Sequence, residues 1–235
     1  MRTVDASVVV PARDEGERLE RTLDSLAAQR FDGDLEVITV ASGAETLRVA
    51  RAHSVVDRVL ADDRREGPGA ARNRGAAVAG GDILLFTDAD TVVPPSWVRR
   101  HYRHYATPIV VGVGGPLRPL EAGLRHRACF RLLSDWWYRA CWPVGFVQQP
   151  GCNCSVRRTT FGSVGGFDDS LEFLEDTDLS LRLRREGTVA YDHTCPVDTS
   201  TRRQGRVGYA RLCWTYLVGY LKYVVPGQSP TREYF

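Results

Sequence analysis

The sequence predicts an α/β fold with a mostly parallel central sheet and helices on both faces. Three observations carry that expectation. Short apolar runs rich in β-branched residues alternate with amphipathic or Ala-rich helical stretches through the first third of the chain. The breaks fall at Pro11, Pro68 and Gly80-Gly81, residue types that end strands or bracket helices. A chain of 235 residues, 43% hydrophobic and 26% charged, is long enough for one such unit with a substantial core and short for two.

Residues 4–10 form a buried-strand pattern ended by Pro11, and residues 17–29 carry Leu19, Leu23 and Leu26 at helical spacing. A second strand is expected over 35–40, a short helix over 44–52 and a third strand over 55–60. Pro68 opens an Ala-rich helix that closes at Gly80-Gly81, and Asp82 leads into the apolar run 83–86. Farther on, strands are expected over 109–113 and 153–156, an aromatic-rich and mostly helical stretch over 120–142, and a helix over 175–186 ended by Gly187. A last amphipathic stretch spans 206–225 and stops at Pro226-Gly227. No repeat or low-complexity linker interrupts the chain, so residues 1–203 are taken as one folded domain and 204–235 as an appended amphipathic segment.

The bulk chemistry excludes some classes. Lys+Arg 31 against Asp+Glu 29 gives a net charge of +2, no basis for nucleic-acid binding. Lys222 is the only lysine; arginine suits bidentate recognition of phosphate, although a GC-rich coding sequence accounts for most of the bias. Cys129, Cys141, Cys152, Cys154, Cys195 and Cys213 lack zinc-finger spacing, so reduced thiols in a cytoplasmic protein are expected. The amino-terminal residues run straight into a strand pattern without a signal-peptide profile, and no stretch has the uninterrupted apolar length of a spanning helix.

The chemistry concentrates where the fourth strand ends. Asp88 and Asp90, separated by Ala89, close the run Ile83-Leu84-Leu85-Phe86-Thr87. Open α/β sheets bind ligands at the carboxyl ends of their strands. Two carboxylates so close repel unless a cation or donors compensate. A hard cation such as Mg²⁺ or Mn²⁺ would do so and also hold a diphosphate; a simple Asp-rich turn is the other reading.

Four landmarks appear in order over about residues 4–200. They are Val8-Val9-Val10-Pro11-Ala12-Arg13-Asp14-Glu15; Gly69-Ala70-Ala71-Arg72-Asn73-Arg74-Gly75; Gly81-Asp82-Ile83 through Asp90; and Gly165-Gly166-Phe167-Asp168 followed by Glu175-Asp176. The ordered set resembles family 2 glycosyltransferases, and is far more specific than any one member. That resemblance implies the nucleotide-diphospho-sugar transferase fold (GT-A) and an inverting sugar transfer from a UDP- or GDP-sugar donor. It implies that Asp88 binds ribose or sugar and shares the metal site with Asp90, the ligand of a donor-bound Mn²⁺ or Mg²⁺. It also implies that Asp176 is the general base, with Glu175 binding acceptor or supporting the base. Pro11, Arg13, Asp14 and Glu15 would cradle base and ribose.

The residues keep plainer alternatives. Asp14 and Glu15 also suit a helix start, and Glu175 and Asp176 a helix N-terminus, where the dipole favours carboxylates. Arg72 and Asn73, on a helix of small residues, are expected to bind substrate; Arg72 could reach the diphosphate or stand in solvent, and Arg74 is expected to be solvated. Arg202 and Arg203 could close over the leaving group or line a solvated loop. His193 is not assigned. One departure from the family is clear: Val40-Ala41-Ser42-Gly43-Ala44 lacks the acidic pair expected after the second strand, which leaves the donor base open.

Residues 130–142 and 209–223 mix Trp and Tyr with Arg and Lys, as membrane-interface segments do, although packing on the sheet or a dimer contact would also use them. The expectation is a peripheral enzyme at the cytoplasmic face of a membrane, with a lipid-linked or glycan acceptor. Its rivals are a non-catalytic nucleotide-sugar-binding protein of the same fold and a sugar-phosphate nucleotidyltransferase. The latter is disfavoured because the loop after the first strand lacks a Gly-rich basic motif.

Overall fold

A computed structural model describes residues 4–64, 66–120, 123–132, 148–171 and 173–224. In chain order the elements are β1 (Ala6–Arg13), α1 (Gly16–Ala27), β2 (Leu35–Ser42), α2 (Ala44–Ala52), β3 (Arg58–Ala61), α3 (Pro68–Val78), β4 (Ile83–Phe86), β5 (Thr91–Val92), α4 (Trp97–His104), β6 (Val110–Gly114), β7 (Leu117–Pro119) and α5 (Leu124–Phe130). They continue with β8 (Cys154–Arg157), α6 (Arg158–Ser163), α7 (Glu175–Glu186), β9 (Thr188–Tyr191), β10 (Val197–Thr199), α8 (Arg202–Val207) and α9 (Tyr209–Val224).

The main sheet has seven strands in the order β3-β2-β1-β4-β8-β6-β9, and β8 runs antiparallel to both its neighbours. Every other pairing in it is parallel. Alternation along β1 divides the interior in two. Val8 and Val10 pack with Leu19, Leu23 and Leu26 of α1 on one face. Val9 packs with Ala71 and Ala76 of α3, Phe86 and Phe167 on the other. A Cβ at Gly75 would collide with Val9, so glycine is what brings α3 down onto the sheet.

The expected alternation of strands and helices is present, with ends moved by a few residues. α4, α6 and the short strands β5, β7, β9 and β10 were not expected. α4 hides its periodicity because five of its eight residues are Arg or His, yet Trp97, Val98 and His101 face inward. Strands of two to four residues carry too few side chains for a period to show. Within the aromatic stretch 120–142 the described helix is α5; residues 133–142 lie outside the described residues. The final stretch is broken at Gly208, whose φ of 83° separates α8 from α9.

A buried polar knot fixes the sheet's right half. Asn153 is fully buried and accepts from Trp97 Nε1 (2.8 Å) and pairs with His101 Nε2 (3.1 Å). Its amide donates to the carbonyls of Pro116 and Cys195, both at 3.0 Å. Burial pushes His101 down to about 4, so it stays neutral at pH 7. Asn153→Ala orphans several buried groups and is expected to cost about 3 kcal/mol, read as a lower midpoint in urea.

Candidate active site

Strand ends and one helix N-terminus converge at the carboxyl edge of the sheet. Asp88 and Asp90 follow β4, residues 14 and 15 follow β1, and Glu175-Asp176 begin α7. Arg72 ties these parts together. Its side chain is 3% exposed and bonds Asp88 Oδ1 at 2.7 Å and Glu175 Oε1 at 3.0 Å. Burial works against its charge, but Asp88 and Glu175 outweigh that and raise its proton affinity. The guanidinium lies over the Phe167 ring, 5.4 Å from its centre, and a Cβ on Gly151 would stand 2.9 Å from Nη2. Gly151 is therefore the residue that lets the chain lie flat on Arg72.

Asn73, the next residue, clamps the Gly-Gly-Phe-Asp turn to α3. Its amide nitrogen donates to Phe167 O (2.8 Å) and Asp169 Oδ1 (2.7 Å), and its oxygen accepts from Phe167 N (2.9 Å). Arg74 is paired with Asp62 and Glu66 rather than solvated.

Asp176 is held by backbone donors. Gly151 N reaches Oδ2 at 3.0 Å and Thr177 N reaches Oδ1 at 2.7 Å. Burial, followed by the neighbouring Glu175 carboxylate, raises its pKa to about 6. The preceding residue, Leu174, has φ 65°, a left-handed conformation that costs a branched side chain free energy and marks an over-determined turn. Asp178, one turn on, bonds Arg182 Nε (2.8 Å) and the Tyr223 hydroxyl (2.7 Å), which removes it from the cleft chemistry. The described cysteines are free; burial, then Asp88, pushes the Cys152 thiol well up and keeps it protonated.

On the other side, Pro11 pairs in register with Val40, and Arg13 donates to Arg64 O (2.7 Å) and Glu66 O (3.4 Å), fixing the loop after β3. Asp14 has φ 53° and leans over Gly43, where a Cβ would meet its Oδ1. Glu15 is ion-paired to both Arg18 and Arg202. Arg202 also approaches Asp90 Oδ2 at 3.8 Å. The side chain of Arg203 lies outside the described residues. Gly43→Ala should destabilise by about 1–2 kcal/mol and displace Asp14, read as a fall of a few degrees in Tm.

Among the described residues no three His, Cys, Asp or Glu side chains form a ready metal cage. The donor set nevertheless suits Mg²⁺ or Mn²⁺, which take few protein oxygens and fill the rest from water and substrate phosphate. Asp90 lies 3.8 Å from the Arg202 guanidinium, whose close partner is Glu15.

Sequence reasoning did not find Gly151 or Leu174. Only the Pro150-Gly151 pair left a trace, and it reads as an ordinary turn.

The description of glycosyl transferase family 2 matches residues 7–155. The chain is 30% identical over 210 residues to the pre-mycofactocin glycosyltransferase of Mycobacterium tuberculosis, covering 80% of this chain and 43% of that protein. It is 28% identical over 164 residues to the glucosyl-dolichyl phosphate glucuronosyltransferase of Haloferax volcanii, covering 65% and 51%. The chain thus spans about half the length of these relatives. Among solved structures, the mannosyltransferase PcManGT of Pyrobaculum calidifontis, in complex with GDP-Man and Mn²⁺, superposes with a TM-score of 0.72 at 20% identity over 98% of this chain and 67% of that one. TarS of S. aureus in complex with UDP-GlcNAc gives 0.66 at 18% identity, over 85% and 59%. This chain belongs to glycosyl transferase family 2, and its fold is GT-A.

Proposed function

We propose that the protein moves a sugar from a nucleoside-diphosphate sugar to an acceptor, with inversion at the anomeric carbon. The observation that carries the reading is the buried Arg72 bridge, which joins Asp88 on the donor side to Glu175 on the acceptor side beside an Asp176 held by two N–H groups. Relatives named as glycosyltransferases and neighbours holding GDP-Man or UDP-GlcNAc support it.

Asp90, with Asp88, would hold a bound Mn²⁺ or Mg²⁺, which supplies neutralisation of the diphosphate leaving group. Arg202, beside Asp90, adds positive charge on the same side. Residues 11–15 line the nucleotide end; Asp14 over Gly43 supplies a carboxylate where the loop after β2 has none. Asp176 takes the proton of an acceptor hydroxyl, which attacks opposite the departing diphosphate. Its raised pKa suits a base near neutral pH. A phosphate acceptor is already anionic and would need Asp176 less.

The acceptor is a lipid-linked group or a glycan presented at a membrane surface. Residues 1–203 form the catalytic domain in this reading, and 204–235 the segment that meets the membrane, on its cytoplasmic face.

Transfer is tested by incubating the chain with UDP- and GDP-sugars, Mn²⁺ and lipid-linked acceptors, following the released nucleotide and product configuration by NMR. Nucleoside diphosphate and an inverted product are expected; a retained configuration sinks the mechanism, and pyrophosphate release would point to nucleotidyl transfer. With a hydroxyl acceptor, kcat/KM should rise through about pH 6 as Asp176 loses its proton. Stability runs the other way. Because the folded pKa lies above the unfolded one, Asp176 binds its proton more tightly in the native state, and its contribution declines from about pH 4 to 6.

A further inference from the structure

α9 has two opposite apolar faces. The inner face is tied to α7 and the turn before it. Phe173 and Tyr216 pack with their rings tilted by 58° and their centres 4.7 Å apart, Gly219 lies against Phe173 and Leu174, and the Tyr223 hydroxyl bonds Asp178 at 2.7 Å. The Tyr220 hydroxyl donates to Gln148 Oε1 at 2.7 Å. These contacts fix the helix's rotation and leave a second stripe pointing away from the protein. It consists of Ala210, Cys213, Trp214, Leu217 and Leu221, with Trp214 63%, Leu217 50% and Leu221 61% exposed. Their spacing keeps them within about one third of the helix circumference.

Charge identifies the occupant. Residues 203–224 contain Arg203, Arg206, Arg211 and Lys222 and no Asp or Glu, while Arg202 is paired with Glu15 in the cleft. A second copy meeting this face by a two-fold axis would set like charges against each other. A surface rich in lipid phosphate has the opposite charge, and Trp among arginines is suited to the headgroup boundary. With 16 residues, α9 is about 24 Å long, and no helix among the described residues is long and apolar enough to cross a membrane. The helix therefore suits lying in the interface.

We propose that the outward stripe of α9 docks on the surface of an anionic lipid bilayer. This deepens the membrane clause of the proposed function by naming the face and the lipid chemistry. Because the inner face of the same helix holds Phe173 and Leu174, docking sets the start of α7, with Glu175 and Asp176, at a fixed distance from the lipid.

The test is co-sedimentation of the full chain, without nucleotide, with vesicles of phosphatidylcholine alone or with about one third phosphatidylglycerol. Binding to the anionic vesicles should be at least tenfold tighter and should weaken with salt. Leu217→Glu/Leu221→Glu, on exposed positions, should lose at least tenfold while keeping Tm and nucleotide binding. Equal binding by the double variant, or no preference of the folded chain for anionic vesicles, overturns the proposal. So does a dimer in analytical ultracentrifugation that the double variant splits, since the stripe would then be a self-interface. Vesicle binding is read without nucleotide. Nucleotide binding without vesicle binding therefore sinks the docking alone, and the converse sinks only the transferase reading.

Discussion

Asp176→Asn is expected to lower turnover with a hydroxyl acceptor about a thousandfold while leaving donor affinity within a factor of about two. The amide keeps the shape, but the Gly151 and Thr177 N–H groups bond different carboxylate oxygens, so its single oxygen keeps one of these bonds and its NH2 faces the other donor. What is lost is the anionic acceptor of a proton. Removing a carboxylate that burial and Glu175 hold at a raised pKa also removes a destabilising charge, which offsets the lost N–H bond, so Tm should change little above pH 6. Single-turnover rates and calorimetric donor affinity, measured on the same preparation, separate the two effects. Equal loss of donor binding would mean that Asp176 shapes the cleft rather than taking the proton.

Arg72→Met should have the largest combined effect. The thioether fills part of the volume but leaves Asp88 and Glu175 without the cation both of them bond. Breaking a buried pair from one side typically costs about 3–5 kcal/mol. For a chain of this size that is roughly 6–15 °C in Tm. The Arg72 charge also lowers the proton affinity of Asp176, so its removal should move the acid limb of kcat/KM to higher pH. Arg72→Lys keeps the charge but cannot span both carboxylates, and should recover the pH profile better than the Tm. An unchanged acid limb in Arg72→Met, with folded protein, would contradict the coupling of the two sides.

The fold was legible because its first half is regular. β1, α1, β2, α3 and β4 each carry a clean period or a Pro/Gly boundary, and they alone bring Asp88 and Asp90 to the sheet's edge. The ordered landmarks likewise marked Arg72, Glu175 and Asp176. Contacts between distant segments were not legible. Nothing local says that Arg72 pairs with a residue 103 positions away, or that Glu15 and Arg202 are partners across 187. Gly151 was missed because its role, lying flat against a guanidinium, exists only after folding. Asn73 was expected near substrate on the strength of its motif; its two clamped bonds to Phe167 come from tertiary packing that no periodicity encodes.

The central claim is a metal-assisted nucleotide-sugar site at the end of β4. Calorimetric titration of the wild-type chain and Asp90→Asn with UDP, GDP and their sugar conjugates, with and without Mn²⁺, tests it most directly. One nucleotide should bind the wild type at least tenfold more tightly with Mn²⁺ than without, and Asp90→Asn should erase that difference. No binding of any of these nucleotides to folded protein, or Mn²⁺ dependence that survives in Asp90→Asn, would contradict it.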